Sequence, residues 1–175
     1  VQDLMNLEIT PIDRKHVFLR LATSKIKKKG KFKNVLQTVN HQNKIEIKTV
    51  RTGNQKKDPI ITSWYAVDEE NQQQFRIKGP SKIRVFSRIL FGDEQIKNAY
   101  CLLVKENGID LGTYYFTTEI SSESLVVKSQ EPVSKWRSTW LTIPEGKHYY
   151  TFSLPNMNEN KNQTVFIRLK EWDAE

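Results

Sequence analysis

Apolar and polar side chains alternate with a period of two through most of this chain, and that pattern leaves room for little besides strands. In KIEIKTV, Ile45 and Ile47 fall on one side while Lys44, Glu46 and Lys48 fall on the other. A pleated strand sends successive side chains to opposite faces, so the pattern describes one buried face and one wet face. The same alternation places Val17, Leu19 and Leu21 together within His16 to Leu21, Phe75 and Ile77 together in QFRIKG, and Ile83, Val85 and Ile89 together in KIRVFSRI. In TVFIRLK it sets Val165, Ile167 and Leu169 inward and Arg168 and Lys170 outward. Only Phe32, Val35, Leu36 and Val39 have the spacing of an amphipathic helix. Val35, Thr38 and Val39 are β-branched there, and NHQN leads directly into KIEIKTV, which favours a hairpin across Asn40 to Asn43. The expected fold is all-β, an antiparallel β-sandwich of jelly-roll-like or immunoglobulin-like form, with at most one short helix.

Turn chemistry falls between the alternating runs. In YCLLVKENGIDLGTYYF, Asn107 and Gly108 both tolerate positive φ and predict a two-residue hairpin turn. Gly79-Pro80, Pro144-Glu145-Gly146 and Gly53-Asn54 read as further turns, Ser121 to Ser124 as a strand break, and the Asn-rich Pro155 to Gln163 as a loop before the last strand. With no repeat of fixed period and no low-complexity linker, the 175 residues are expected to form one domain, 1–175.

Charge is distributed unevenly. Residues 14 to 57 hold 14 of the 28 Lys and Arg against one acid, Glu46, a net of +13 that the acidic remainder of the chain reduces to the overall +8. The centre of this basic quarter is KIKKKGKFK, where Lys25, Lys27, Lys28, Lys29, Lys31 and Lys33 repel one another and predict an exposed loop or hairpin tip. Such a tip is either a solvated turn or a contact for phosphate, acidic glycan or anionic lipid. No stretch has the ~18 apolar residues of a membrane-spanning helix. The first residues lack the basic, apolar, small-residue order of a secretory signal, an absence that a trimmed chain would share. A lone Cys101 between Tyr100 and Leu102 reads as a small core residue, and no internal disulfide is available to it.

Catalytic motifs are missing. His16, His41 and His148 stand far apart and form no HExxH or His-x-His pair. The sequence has no G-x-S-x-G elbow, no Walker-type phosphate loop and no dinucleotide turn. Asp68, Glu69 and Glu70, and likewise Asp93-Glu94, read as solvated acids, since a two-carboxylate site is not recognisable from spacing. No catalytic residue, metal ligand or cofactor is therefore expected. Calcium in the oxygen-rich Pro155 to Gln163 loop is the one exception the sequence raises, against Glu159 as its only carboxylate and Lys161 inside it.

The aromatic stretch SKWRSTWLTIPEGKHYYTFSL carries the binding signal. In a strand from Lys135 to Ile143, Trp136, Ser138, Trp140 and Thr142 share one face, and Arg137, Thr139, Leu141 and Ile143 the other. If Leu141 and Ile143 face the core, the indoles form a flat stacking surface, which Tyr149 extends after the turn. If the indoles fill the core, they bind nothing. Trp136, Trp140, Tyr149, Arg137, Trp64 and Tyr65 are the candidate ligand-binding residues.

LGTYYFTT, the serine-rich break and SKWRSTWLTIPEGKHYYTFSL together resemble the closing strands of carbohydrate-binding-module and galactose-binding-like β-sandwiches, over roughly residues 75 to 170. The resemblance implies a non-catalytic, extracytoplasmic sugar-binding or adhesion module of a larger system. The functions in play are a binding module for carbohydrate or a partner protein, a polyanion binder acting through residues 25 to 33, and a scaffold domain.

Overall fold

The computed structural model describes residues 30–34, 43–50, 58–91, 97–155 and 163–174. Among them are nine strands and no helix: β1 (Gly30–Asn34), β2 (Lys44–Thr49), β3 (Ile60–Val67), β4 (Gln73–Ile89), β5 (Lys97–Glu106), β6 (Ile109–Val126), β7 (Pro132–Ser134), β8 (Arg137–Ser153) and β9 (Val165–Ala174). All pairings are antiparallel. β9, β3, β2, β6, β5, β8 and β4 follow one another side by side, and β4 returns to β9, so seven strands close a ring. β1 adds to β9 beyond β3, and β7 pairs with β6. Closure satisfies the edge hydrogen bonds that an open sheet would leave exposed.

The period-two pattern has the expected consequence. Phe75, Ile77, Ile83, Val85 and Ile89 of β4 meet Leu141, Ile143, Tyr150 and Phe152 of β8 and Val165, Ile167 and Leu169 of β9 inside the ring, where all are buried. A second core lies on the opposite face of β3 and β9, formed by Ile47, Trp64, Ala66, Val126, Val133 and Phe166 with Phe86 and Leu90 against it. β3 is thus covered on both sides, which explains why IITSWYAV lacks clean alternation at its C-terminal end. Cys101 is buried, as its apolar neighbours suggest. The hairpin at Asn107-Gly108 forms: Glu106 pairs with Ile109, and φ is 50° at Asn107 and 85° at Gly108.

Three local expectations are corrected. No turn separates strands at Gly79-Pro80 or at Pro144-Glu145-Gly146; both stretches lie within the long strands β4 and β8, which pair along nearly their whole length. Gly79 and Ser81 are two positions apart, whereas their partners Gly146 and Ile143 are three apart, so β8 carries one extra residue as a bulge. Prolines have no N–H for the ladder, and facing each other at the bulge they interrupt pairing without ending it. Ser121 to Ser124 does not break β6 either: Ser124 pairs with Thr49 of β2 and shares a side-chain hydrogen bond of 3.0 Å with it. The hairpin expected across Asn40 to Asn43 lies, apart from Asn43, outside the described residues; within them β2 pairs with β3 along its length and with β6 at Ile47 to Thr49. Asn43 does turn the chain there, at φ 63°. Phe32 sits in β1, not in a helix, and β1 pairs with β9. The strand expected at His16 to Leu21, the remainder of the helical stripe, Gly53-Asn54 and residues 156–162 of the Asn-rich loop lie outside the described residues.

Candidate ligand-binding face

Which way the tryptophan strand faces is decided by Leu141 and Ile143, both buried in the main core. Alternation then turns Ser138, Trp140 and Thr142 outward, and Trp136 joins them just before β8 begins. Trp136 remains 48% exposed and Trp140 43%. An indole loses most of its surface when it fills a core, so both rings lie on the surface as half-covered faces.

The neighbours of this strip come from far along the chain. Trp140 pairs with Arg84, Ser138 with Phe86 and Thr142 with Lys82. On the other edge of β4, Arg84 pairs with Lys170, Phe86 with Arg168 and Lys82 with Trp172, and Trp172 pairs with Phe32 of β1. The outer face of β8, β4, β9 and β1 is thereby an array of aromatics and cations. At one end Trp136 meets Phe86 edge-on, with centroids 5.4 Å apart. At the other end Trp140, Trp172 and Phe32 cluster, with Trp140 6.4 Å from Trp172 and 6.0 Å from Phe32.

Arg84 lies between the two ends. Its guanidinium carbon is 4.7 Å from the centroid of Phe86, 5.4 Å from that of Trp136 and 5.7 Å from that of Trp140. Contacts of this kind hold a cation over ring faces and keep the rings oriented. Arg84 Nε donates to Ser138 Oγ at 3.0 Å. Burial lowers the pKa of Arg84 and of Arg168, and lowers that of Lys170, where the charge of Arg168 adds to the effect. These groups carry like charge on one partly desolvated surface.

The other sequence candidates do not join this face. Trp64 is 4% exposed and packs in the second core, donating Nε1–H to Thr62 Oγ1 at 2.8 Å. The Arg88 guanidinium lies 4.9 Å from its ring centroid and is itself buried. Tyr65, on the opposite face of β3, meets Phe75 edge-on at 5.4 Å. Arg137 turns away from the indoles and donates Nε–H to the Thr117 carbonyl at 2.7 Å. Tyr149 does point outward, because the bulge shifts the parity of β8: the inward positions are Leu141 and Ile143 before it and Tyr150 and Phe152 after it. It stands at the distant end of the strand, tied to Asn107 by Tyr149 N–H to Oδ1 at 2.9 Å and Asn107 N–H to its carbonyl at 2.8 Å. Of the six lysines, Lys31 and Lys33 are exposed on β1 at positions alternating with Phe32. Lys25, Lys27, Lys28 and Lys29 lie outside the described residues.

A polar cluster also gathers beside the Asn107 turn. Tyr150 Oη–H donates to Glu106 Oε1 at 2.8 Å, and His148 Nδ1 lies 2.7 Å from the same oxygen. Burial first, and then the Glu106 carboxylate, raise the pKa of the Tyr150 phenol. One carboxylate shared by two neighbours locks β8 to β5. Asp68, for its part, caps the turn after β3, its Oδ1 accepting from the backbone N–H groups of Glu70 and Asn71.

The residues that sequence reading missed are Lys82, Arg84 and Phe86 of β4 and Trp172 of β9. Alternation already sets Lys82, Arg84 and Phe86 opposite Ile83 and Val85, so the signal for "outward" is present. What it lacks is any indication that β4 lies between β8 and β9.

No protein-family model matches the chain, and no curated protein sequence matches it. Among solved structures it is similar to the Agl-KA catalytic domain, with 11% identity, a TM-score of 0.42 and coverage of 65% of this chain; it spans only 22% of that chain's length. It is similar as well to the CBM36-1 domain of a multidomain xylanase from the hindgut metagenome of Trinervitermes trinervoides, with 11% identity, a TM-score of 0.37 and coverage of 76% of this chain and 98% of that one. A carbohydrate-binding module CBM36 in complex with calcium and xylotriose gives 11% identity, a TM-score of 0.38 and coverage of 75% and 99%. Carbohydrate-binding modules, the family resembled over residues 75 to 170, thus stand among the structural neighbours. Among the described residues no group of three or more His, Cys, Asp or Glu gathers as a metal would require. Most of the loop on which the calcium expectation rested lies outside those residues.

Proposed function

We propose that this chain is a single-domain, non-catalytic β-sandwich module that binds carbohydrate on the outer face of β8, β4 and β9. The observation that carries the reading is the pair Trp136 and Trp140, both half-exposed on one face and both held by Arg84. A pyranose presents a flat patch of C–H groups on one side and hydroxyls around its rim. Indole faces take the first, and Ser138, Thr142 and the cations beside them take the second. The indole centroids lie 5.4 Å and 5.7 Å from the same guanidinium carbon of Arg84, so they stand at most about 11 Å apart, a spacing that suits a short oligosaccharide. Trp172 and Phe32 extend the same surface across the strands, and Tyr149 is a contact for a longer chain.

The test is a fluorescence titration of the protein with neutral and acidic oligosaccharides. Binding is expected to shift or quench indole emission. Trp136→Ala and Trp140→Ala are each expected to weaken it by roughly tenfold or more, as loss of one aromatic stacking contact does, while leaving unfolding nearly unchanged. If no glycan alters the emission at low or high salt, the carbohydrate reading is wrong.

A further inference from the structure

We infer that the glycan taken by this face is acidic, its carboxylates or sulfate esters meeting Arg84, Lys170 and Lys82 while its rings lie on Trp136 and Trp140. The inference rests on the carbohydrate reading above and specifies its ligand. Four cations occupy neighbouring outward positions here: Lys82 and Arg84 on β4, and Arg168 and Lys170 on β9, with Arg84 and Lys170 directly paired. The remaining outward positions of the patch are Ser138, Trp140 and Thr142 on β8, Phe86 on β4 and Trp172 on β9. No carboxylate is among them. Glu171, the acid between Lys170 and Trp172, pairs with Ile83 at a position that alternates to the other face.

A sheet surface normally intersperses charges of both signs, because like charges on neighbouring strands repel. Here Arg84 has, among the described residues, a single hydrogen bond, from Nε to the neutral Ser138 hydroxyl. Its two terminal nitrogens remain available as a planar fork, the geometry that a carboxylate or a sulfate accepts in a bidentate pair. Arg84 and Lys170 are already partly desolvated, and burial disfavours their charged forms. A bound anion would relieve that cost, whereas a neutral sugar would increase it.

The interleaving of charge and ring distinguishes this face from a generic basic patch. Trp140, Arg84 and Lys170 form one row across three strands, and Arg84 is within 6 Å of both indole centroids. An acidic pyranose carries its anion on the ring that stacks, so charge and stacking surface are needed side by side. A phosphodiester chain would instead engage a continuous basic track of many contacts, and the described face offers four cations bounded by aromatics.

The experiment is calorimetric titration of the full chain with four probes at about 0.05 and 0.5 M salt. The probes are polygalacturonate oligomers, the same oligomers with carboxyls reduced to alcohols, heparin oligosaccharides and a single-stranded oligodeoxynucleotide. At low salt an acidic oligomer is expected to bind at least ~10-fold more tightly than its reduced counterpart, with the advantage shrinking at high salt. Arg84→Gln and Lys170→Gln should each remove about tenfold of acidic affinity and lower the ratio of acidic to reduced affinity toward one. Lys170 is at the surface, so its variant reports on charge even if Arg84→Gln loosens the indoles. Whether polygalacturonate or heparin binds more tightly distinguishes carboxylate from sulfate. Equal affinity for reduced and acidic oligomers would overturn the inference and leave the carbohydrate reading intact. Failure of every glycan would remove both, and tighter binding of the oligodeoxynucleotide than of any glycan would replace them with nucleic-acid recognition.

Discussion

Replacing Gly79 by alanine tests the long β4–β8 pairing on which the binding face is built. A Cβ at position 79 would stand 1.7 Å from the Pro144 carbonyl oxygen, 2.7 Å from its carbonyl carbon and 2.9 Å from the Ile143 carbonyl oxygen. All three are backbone atoms, so no rotamer change makes room. To bring the nearest contact out to about 3 Å, the strands must part locally by roughly 1.3 Å, more than a ladder hydrogen bond tolerates. Loss of two or three ladder bonds at about 1 kcal/mol each, with about 1–3 kcal/mol for the strained packing of Ile77 and Ile143 alongside, gives a destabilisation of roughly 3–6 kcal/mol. That is a large part of the ~5–15 kcal/mol available to a domain. Urea unfolding followed by circular dichroism measures it, with Lys78→Ala, an exposed neighbour, as a control expected within about 0.5 kcal/mol of the parent. A Gly79→Ala variant destabilised by less than about 1 kcal/mol would show that the strands do not approach as closely as the bulge requires. The shifted parity that sends both Trp140 and Tyr149 outward would then lose its basis.

Two further substitutions address the second core and the hairpin. Arg88 is 4% exposed, its Nε lacks a hydrogen-bond partner and its guanidinium lies over Trp64; Arg88→Met should therefore be neutral to stabilising by about 1–2 kcal/mol at pH 7, the removed desolvation cost outweighing the lost cation–π contact. Burial lowers the pKa of Arg88 from 12.5 to about 10, so below pH 10 both folded and unfolded chains carry the proton and the folded chain bears the full cost. Above pH 10 the folded chain releases its proton first and the cost falls, so the stability gap between parent and variant should be flat up to about pH 10 and narrow beyond it. Denaturation at pH 7 and pH 11 measures the gap, and a variant less stable by more than about 1 kcal/mol at pH 7 would contradict it. Gly108→Ala meets nothing within 4 Å but must adopt φ +85°, so thermal unfolding should show a loss of about 1–2 kcal/mol from backbone strain alone; an unchanged midpoint would mean that the turn is not held in that conformation.

Legibility in this sequence follows the range of the interactions involved. Asn107-Gly108 is read correctly because a two-residue hairpin is a local object, specified by the φ values its own residues tolerate. Gly79-Pro80 and Pro144-Glu145-Gly146 are misread for a related reason. Glycine and proline interrupt a ladder equally well at a chain reversal and at a bulge, and which of the two forms depends on whether a partner strand continues past them. Trp64 and Tyr65 look like surface aromatics beside the acids Asp68 to Glu70, yet β3 is covered on both faces, by β4 and β8 residues on one side and by β2, β6 and β7 residues on the other.

The same division separates the two halves of the candidate site. That Trp136 and Trp140 share a face, and that Lys82, Arg84, Arg168 and Lys170 point away from the core, was determined by the sequence alone, since alternation along a strand is a property of the pleat. That these two sets share one surface was decided only by the tertiary structure, through the placing of β4 between β8 and β9, with Arg84 paired to Trp140 56 residues away on one side and to Lys170 86 residues away on the other. Strand order comes from pairing distant segments around a common core, and a periodic pattern contains which side each residue faces but not which strand will lie beside it.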